Sequence, residues 1–145
     1  MAKMDNIKEL LPQREPFLFA DAILTAEIGL ISAVKSYGGD FVFAQCTADG
    51  QKYVPSAIII ESLVQCGGAG IKKIGLGGGV FVLASIDKVR IRGFAELPAT
   101  VDMQIRTIKA AGKILRQTGE ARCGGKFILS ARWNCLFLPK NAFVR

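Results

Sequence analysis

An apolar stretch with one carboxylate at its centre constrains the fold of this chain most strongly. Residues 55–70 read PSAIIIESLVQCGGAG, and Pro55 suits the first turn of a helix, where its missing N–H costs nothing. The following residues are apolar on nearly every side, which is typical of a helix buried all round, so we predict a helix from Pro55 to about Lys73. Glu61 lies in the middle of this stretch. Because burying an unpaired carboxylate is costly, Glu61 either has a function or lies on the one solvated edge of the helix.

The rest of the chain predicts a sheet built around this helix. Alternating residues and glycine-rich turns indicate strands at residues 17–26, 30–37, 80–92, 99–110, 114–123 and 126–138. A short helix is expected over residues 5–11 and an irregular loop over residues 41–54. Long strands joined by tight turns favour antiparallel pairing, and one buried helix against such a sheet makes an α+β domain. We expect all 145 residues, 1–145, to form a single domain.

The absence of histidine narrows the chemistry open to this chain. Without histidine, Ser–His and Cys–His nucleophile pairs and a histidine base are ruled out. The four cysteines, Cys46, Cys66, Cys123 and Cys135, lack the spacing of a metal finger. We therefore expect reduced thiols and neither a metal nor a cofactor. Any acid–base chemistry must come from Glu, Asp, Lys, Tyr or Cys.

Charge and hydropathy limit the partners and the location that we expect. The net charge of +7 is spread along the chain, which favours an acidic partner. No aromatic–basic interleaving or known motif supports a nucleic-acid partner. No apolar run is long enough to suggest a membrane span, and the N-terminal residues lack the apolar core of a signal peptide. A cytoplasmic protein is therefore the expectation.

Three separated motifs resemble one family. Residues 11–21, LPQREPFLFAD, look like the opening segment of the 3-hydroxyacyl-[acyl-carrier-protein] dehydratases, usually LPHRYPFLLVD. Residues 43–65 resemble that family's Phe-Phe-x-Gly-His-Phe-Pro loop and following helix, and residues 84–92 are similar to its strand Ile-Asp-Lys-Val-Arg-Phe. The resemblance covers residues 7–138 and implies the hotdog fold, a curved antiparallel sheet wrapped around one long helix. It also implies a dimer whose active site takes a histidine from one subunit and a carboxylate from the other.

The departures from this pattern concern the catalytic residues. In the family the catalytic histidine precedes the helix glutamate by 14 positions, and counting back 14 residues from Glu61 reaches Thr47. The Gly-His-Phe-Pro motif is replaced by Cys-Thr-Ala-Asp at residues 46–49, and Ser56 replaces the glycine after the helix proline. The carboxylate is thus retained and the base is absent. The resemblance leads us to expect substrate contacts from Ser56, Ala57 and Gln65.

Four functional interpretations stay open. The first is a protein that binds acyl groups on acyl carrier protein or coenzyme A but has weak or no dehydratase activity alone, because Thr47 replaces the base. It would act as a homodimer or with a His-bearing paralogous subunit. The second is an acyl thioesterase that uses Glu61 as base or nucleophile. The third is a lyase or isomerase that uses Cys46 beside Glu61, and the fourth is a purely structural role.

Two interaction surfaces follow from charge and from the predicted sheet. The candidates for docking an acidic carrier protein are the basic residues Lys72, Lys73, Arg90 and Arg92. We expect a homodimer, or a higher oligomer of dimers, because an exposed sheet edge tends to pair with another chain. The strand at residues 80–92 is the predicted seam of that dimer.

Overall fold

The computed structural model describes residues 6–76 and 79–139, so the predicted domain ends at residues 1 and 145 lie outside the described residues. The helices and strands follow in the order α1 (Ile7–Leu10), β1 (Ala22–Ala26), β2 (Ile31–Tyr37), β3 (Gln45–Cys46), β4 (Lys52–Val54), α2 (Ser56–Lys73), β5 (Val80–Ile91), β6 (Ala95–Glu96), β7 (Ala99–Ala111), β8 (Ile114–Cys123) and β9 (Lys126–Leu138). None of the helices in the described ranges is both long and apolar enough to span a bilayer.

The central helix α2 confirms the prediction for residues 55–73 within one residue. It comprises 18 residues, begins directly after Pro55, and places Lys72 and Lys73 in its last turn, where positive charge complements the helix dipole. The expectation that it is buried all round is wrong for its first turns. Ala57 is exposed and Glu61 is only half-buried, whereas the side chains from Leu63 to Ile71 are mostly buried. The N-terminal end of α2 therefore reaches the surface.

The main sheet packs against α2 as the polar–apolar alternation predicts. Six antiparallel strands pair in the order β1-β2-β7-β8-β9-β5. Along β7, buried Val101, Met103 and Ile105 alternate with exposed polar residues, because successive side chains of a strand point to opposite faces. The buried set joins Leu63 of α2 in one hydrophobic core. The α+β architecture is thus confirmed.

Two strand predictions need correction. The loop expected over residues 41–54 contains β3 and β4, which form a second, three-stranded sheet with β6. Its partners are far apart in sequence, so the local pattern did not reveal it. The strand expected over residues 17–26 begins only at Ala22. The preceding residues 17–19 instead lie against α2. The side chain of Gln65 in that helix accepts the backbone N–H of Phe19 and donates to the carbonyl oxygen of Phe17.

Strand β5 forms one edge of the main sheet. It pairs with β9, and among the described strands nothing pairs with its other side. A bulge interrupts the register between Asp87 and Arg90, and Lys88 within it has a φ of 50°. Exposed apolar side chains line this strand: Leu83, Ile86, Val89 and Ile91. The edge position fits the predicted dimer seam, which stays a prediction.

Candidate functional site

Glu61 lies in the second turn of α2, near the exposed end of the helix. Its side chain is half-buried rather than sealed in apolar surroundings as expected. Its Oε1 atom accepts a hydrogen bond of 3.0 Å from Nε2 of Gln65, one helical turn further along. Within the described residues, the hydrogen bond to this carboxylate is made by Oε1.

Gln65 holds Glu61 and ties α2 to the preceding segment. Its Oε1 accepts the backbone N–H of Phe19 at 2.8 Å, and its Nε2 also donates to the carbonyl oxygen of Phe17 at 2.9 Å. Both Nε2 hydrogens are thus engaged, and the buried amide is satisfied. The structure gives Gln65 a positioning role, while its predicted contact with substrate stays a prediction.

Thr47, which the 14-residue spacing predicts at the position of the family histidine, lies in the exposed turn between β3 and β4. Its hydroxyl donates a hydrogen bond to the carboxylate of Asp49 and accepts the backbone N–H of Gln51 at 3.1 Å. The bond from Thr47 lowers the pKa of Asp49. No hydrogen bond among the described residues joins Thr47 to Glu61 of the same chain. That Thr47 meets Glu61 of a second subunit, as the resemblance implies, stays a prediction.

The cysteines differ in their surroundings. Burial raises the pKa of the Cys66 thiol to about 12, and burial followed by the charge of Glu61 raises that of Cys135 to about 11. Burial also raises the pKa of Cys123. These three thiols are protonated at neutral pH and are therefore poor nucleophiles. Cys46 is exposed on β3, next to Thr47, and its role in catalysis stays a prediction.

The first turn of α2 presents backbone donors near Glu61. The first intrahelical bonds run from Ile58 and Ile59 to the carbonyl oxygen of Pro55, at 2.9 Å and 3.2 Å. The N–H groups of Ser56 and Ala57 precede these bonds and are among the donors that a helix leaves without an internal partner. Ala57 is exposed and Ser56 half-buried, so a carbonyl or oxyanion at this helix end could reach them.

The four predicted docking residues lie on two elements. Lys72 and Lys73 end α2, whereas Arg90 and Arg92 lie at the end of edge strand β5 and directly after it. Lys73, Arg90 and Arg92 are exposed, and Lys72 is half-buried. The structure thus spreads these charges over two places on the surface.

A narrow cavity of about 30 Å³ adjoins Gln65 and was missed by sequence reasoning. Its lining includes Gln13, Gly68, Lys72 and Phe81. The Oε1 atom of Gln13 is buried and has no hydrogen-bond partner within the described residues. A signal was present for Gln13, because it replaces the histidine of the family's opening motif. The sequence contains no such signal for Phe81, which reads as an ordinary apolar residue of a strand.

Within residues 6–76 and 79–139, no cluster of His, Cys, Asp or Glu side chains is able to hold a metal ion. The groups that the structure brings together on α2 are the carboxylate of Glu61 held by Gln65, the N–H groups of the first helical turn, and the cavity beside Gln65. Proton transfer and hydrogen bonding to a carbonyl are the chemistry that these groups can perform.

Comparison with known proteins identifies relatives of this chain. No protein-family model matches the chain. The 3-hydroxyacyl-[acyl-carrier-protein] dehydratase FabZ of Clostridioides difficile is 30% identical over 130 residues, which covers 88% of this chain and 92% of that protein.

Solved structures share the fold. A chain of the dehydratase heterocomplex ApeI:P from Xenorhabdus doucetiae superposes with a TM-score of 0.78 at 19% identity, covering 93% of this chain and 92% of that one. A hypothetical thioesterase with coenzyme A from Streptococcus pneumoniae superposes with a TM-score of 0.62 at 10% identity, covering 81% of this chain and 85% of that one. These similarities confirm the hotdog fold that the sequence motifs implied.

Proposed function

The chain belongs to the family of the 3-hydroxyacyl-[acyl-carrier-protein] dehydratases, and from this premise we propose that it binds 3-hydroxyacyl groups presented by acyl carrier protein. We further propose that it has weak or no dehydratase activity alone. The observation that supports this proposal is the state of the two positions that the resemblance assigns to catalysis. Glu61 is retained and held by Gln65, whereas Thr47 presents a hydroxyl already engaged with Asp49.

Dehydration needs a base for the α-proton and an acid for the departing hydroxyl. A threonine hydroxyl cannot serve as that base near neutral pH, and loss of a positioned base typically slows a reaction by about 10²–10⁴-fold. Glu61 can still supply the proton to the leaving hydroxyl. The N–H groups of Ser56 and Ala57 would hold the thioester carbonyl at the helix end.

A composite site would restore the missing base. In the family pattern, each site joins the histidine of one subunit to the carboxylate of the other. A homodimer of this chain would place Thr47 opposite Glu61 in both sites. In a heterodimer with a His-bearing paralogue, Glu61 of this chain would complete one competent site. We therefore expect activity to appear when such a subunit is present.

The decisive experiment restores the base within this chain. The purified homomer is assayed with 3-hydroxyacyl-carrier protein as wild type, Thr47→His and Thr47→His/Glu61→Gln, with Ala48→His as the matched control in the same turn. We expect a small, measurable gain over wild type in Thr47→His, and no gain in Thr47→His/Glu61→Gln or in Ala48→His. The gain stays small because a misplacement of about 1 Å can cost about 10²-fold.

Two results would contradict the proposal. If wild type dehydrates as fast as Thr47→His, another residue is the base and the site is intact. If acyl carrier protein binds neither wild type nor any of the variants, the proposal that this chain recognises carrier-bound acyl groups is wrong. Binding without activity in all variants would support the carrier-binding or partner-subunit interpretation and remove the latent catalytic site.

Docking of the acidic carrier protein is proposed to use Lys72, Lys73, Arg90 and Arg92. Attraction between exposed charges weakens with ionic strength, so the dissociation constant should rise between low and high salt. Lys73→Glu, at the end of α2 and outside the strand predicted as the dimer seam, should weaken binding, whereas Arg116→Glu, a charge reversal on β8, should do so less. Binding that is indifferent to salt would remove these residues as the docking surface.

Thioester hydrolysis is the second candidate. It is favoured by the arrangement of Glu61 near the helix N-terminal amides, because a carboxylate can act as base or nucleophile while amides hold the oxyanion. Release of free thiol from an acyl-coenzyme A by wild type, abolished by Glu61→Gln, would establish this activity. Cys46→Ser in the same assay tests the interpretation in which the exposed thiol takes part.

A further inference from the structure

The end of the main sheet where β7 turns into β8 exposes large apolar side chains. Ile114 of β8 is 42% exposed and lies beside Leu136 of β9, which is 41% exposed. A bulge in β7 between Thr107 and Lys109 leaves Ile108 without a direct partner on β8, and its side chain is 48% exposed. Ile108, Ile114 and Leu136 are called the apolar tip below.

An apolar groove of about 220 Å³ extends this surface on the inner side of the hairpin. Ile114 lines the groove together with Leu76, which follows α2 in the chain and is 44% exposed. None of the described residues that line the groove carries a charge. The exposed apolar surface at this end of the molecule is therefore larger than the apolar tip alone.

Basic residues follow directly behind the apolar tip. Lys109 of β7 pairs with Arg116 of β8, and Lys113 lies exposed in the turn between these strands. Side chains two residues apart on a strand point to the same face, so Arg116 projects beside Ile114. Lys109, Lys113 and Arg116 are called the basic belt below. Residues 103–119 contain no acidic residue that could offset these charges locally.

The charge of the basic belt is not neutralised by the rest of the described chain. None of the ion pairs between residues described in the structure involves a residue of the belt. Arg116 is held by a neutral group, because its Nε donates to Oδ1 of Asn134 at 2.7 Å. Glu120, the next acidic residue along the chain, forms its ion pair with Arg122. Positive charge and exposed apolar side chains thus lie side by side on one hairpin.

This combination favours a lipid surface over other partners. Anionic headgroups attract Lys and Arg, and apolar side chains gain burial at the boundary between headgroups and acyl chains. Single-stranded nucleic acid is bound by aromatic side chains that stack on bases, and residues 103–119 contain none. A second copy of the chain would bring the same positive charge into the contact, where like charges repel.

We propose that the apolar tip and the basic belt dock this protein on the surface of a membrane that contains anionic lipids. The apolar tip enters the headgroup region, and the basic belt binds the lipid phosphates around it. This inference goes beyond the proposed function and does not depend on it.

Sedimentation with extruded lipid vesicles measures the docking. The protein is mixed with vesicles of phosphatidylcholine alone and with vesicles that contain about one third phosphatidylglycerol, each at low and at high salt. We expect binding to the anionic vesicles only. This binding should weaken at high salt, because salt screens the attraction between exposed charges.

Substitutions test whether this hairpin is the docking surface. Lys109→Gln and Lys113→Gln should each weaken partitioning into anionic vesicles by about fivefold. Ile114→Gln should weaken it by about tenfold, because an apolar side chain no longer gains burial. The matched controls are Lys126→Gln at the opposite end of β9 and Leu24→Gln on edge strand β1, which should leave partitioning nearly unchanged. The two lysines are exposed, so their variants test the docking even if Ile114→Gln unfolds.

The remaining outcomes overturn the inference. Wild type that does not bind anionic vesicles removes it, and equal weakening by the control variants places the contact elsewhere on the molecule. A change of oligomeric state in Ile114→Gln, seen by light scattering without vesicles, would show that a second copy covers the apolar tip. Binding of a single-stranded oligonucleotide in place of vesicles would assign the basic belt to nucleic acid. The assay contains neither carrier protein nor thioester, so none of these results decides the proposed function.

Discussion

The side chain of Gln65 connects two parts of the molecule that are separate in the sequence, the segment before β1 and helix α2. It receives the backbone N–H of Phe19, donates to the carbonyl oxygen of Phe17, and donates to Glu61. The same amide therefore holds the segment before β1 against α2 and orients the candidate catalytic carboxylate. Removing it should affect stability and the site together.

We predict that Gln65→Leu lowers the free energy of unfolding by about 1–3 kcal/mol. The substitution keeps the volume but leaves the buried N–H of Phe19 without its acceptor. Urea unfolding provides the measurement, and Gln104→Leu, at an exposed position of β7, is the control that should change stability by no more than about 0.5 kcal/mol. Equal stability of the two variants would show that the hydrogen bonds of Gln65 make no net contribution to the free energy of unfolding. In the Thr47→His background, Gln65→Leu should also reduce the restored activity.

The buried thiols predict a loss of stability at alkaline pH. Cys66 and Cys135 titrate near 9 when unfolded, and burial raises their folded pKa values to about 12 and about 11. Between pH 9 and pH 11 the unfolded chain has lost these protons and the folded chain has kept them, so stability falls as pH rises. Each thiol contributes a slope of about 1.4 kcal/mol per pH unit in that window.

The corresponding measurement is urea unfolding of reduced protein at several values between pH 8 and pH 10.5. Cys135→Ala should reduce the alkaline slope by the contribution of one thiol, whereas Leu136→Ala, at the adjacent exposed position, should leave it unchanged. An unaltered slope in Cys135→Ala would show that this thiol is not protected in the folded state.

At the scale of elements, the glycines of α2 set its distance from the sheet. A Cβ atom on Gly70 would lie 2.6 Å from Cδ1 of Ile31, and Ile31 of β2 is fully buried. Real side chains do not approach this closely, and Ile31 cannot move into solvent. The glycine therefore allows β2 to pack directly on the helix backbone.

We predict that Gly70→Ala lowers the free energy of unfolding by about 1–3 kcal/mol, although alanine is the better helix former, because it overpacks the core. Gly29→Ala is the matched control, since nothing lies within 4 Å of a Cβ placed there. Chemical unfolding of both variants gives the comparison. A stabilised Gly70→Ala would mean that β2 can shift and that the contact with Ile31 is not constraining.

The small sheet of β3, β4 and β6 determines where Thr47 lies. Its turn closes with hydrogen bonds from the N–H of Thr47 to the carbonyl oxygen of Gln51, at 2.8 Å, and from Gly50 to Thr47, at 3.0 Å. Thr47 is thereby held at the surface, away from the core of its own chain. This placement suits a residue that meets its catalytic partner in another subunit.

At the scale of the whole molecule, a dimer is predicted by the exposed apolar residues of β5 and by its outer side, with which none of the described strands pairs. Edge strands with this character readily pair with another chain. Light scattering should show a dimer or larger oligomer at micromolar concentration, and a monomer there would contradict the prediction.

Leu83→Glu should raise the dimer dissociation constant by roughly a hundredfold or more, because a buried, unpaired carboxylate costs several kcal/mol. Ile28→Glu, between β1 and β2, is the control at an exposed apolar side chain away from β5 and should leave assembly unchanged. If both variants assemble like wild type, the seam lies elsewhere.

Local patterns were enough to predict α2 and the long strands, because helix and strand periodicity and glycine turns act over a few residues. The single carboxylate in an apolar run singled out Glu61, and the resemblance to the dehydratases, with its 14-residue spacing, singled out Thr47. The tertiary structure decided what depends on contacts between distant residues: the pairing of β4 with β6, the half-exposed setting of Glu61, its link to Gln65, and the cavity that adjoins Gln65. None of these features produces a periodic pattern in the sequence, because each depends on which elements the folded core brings into contact.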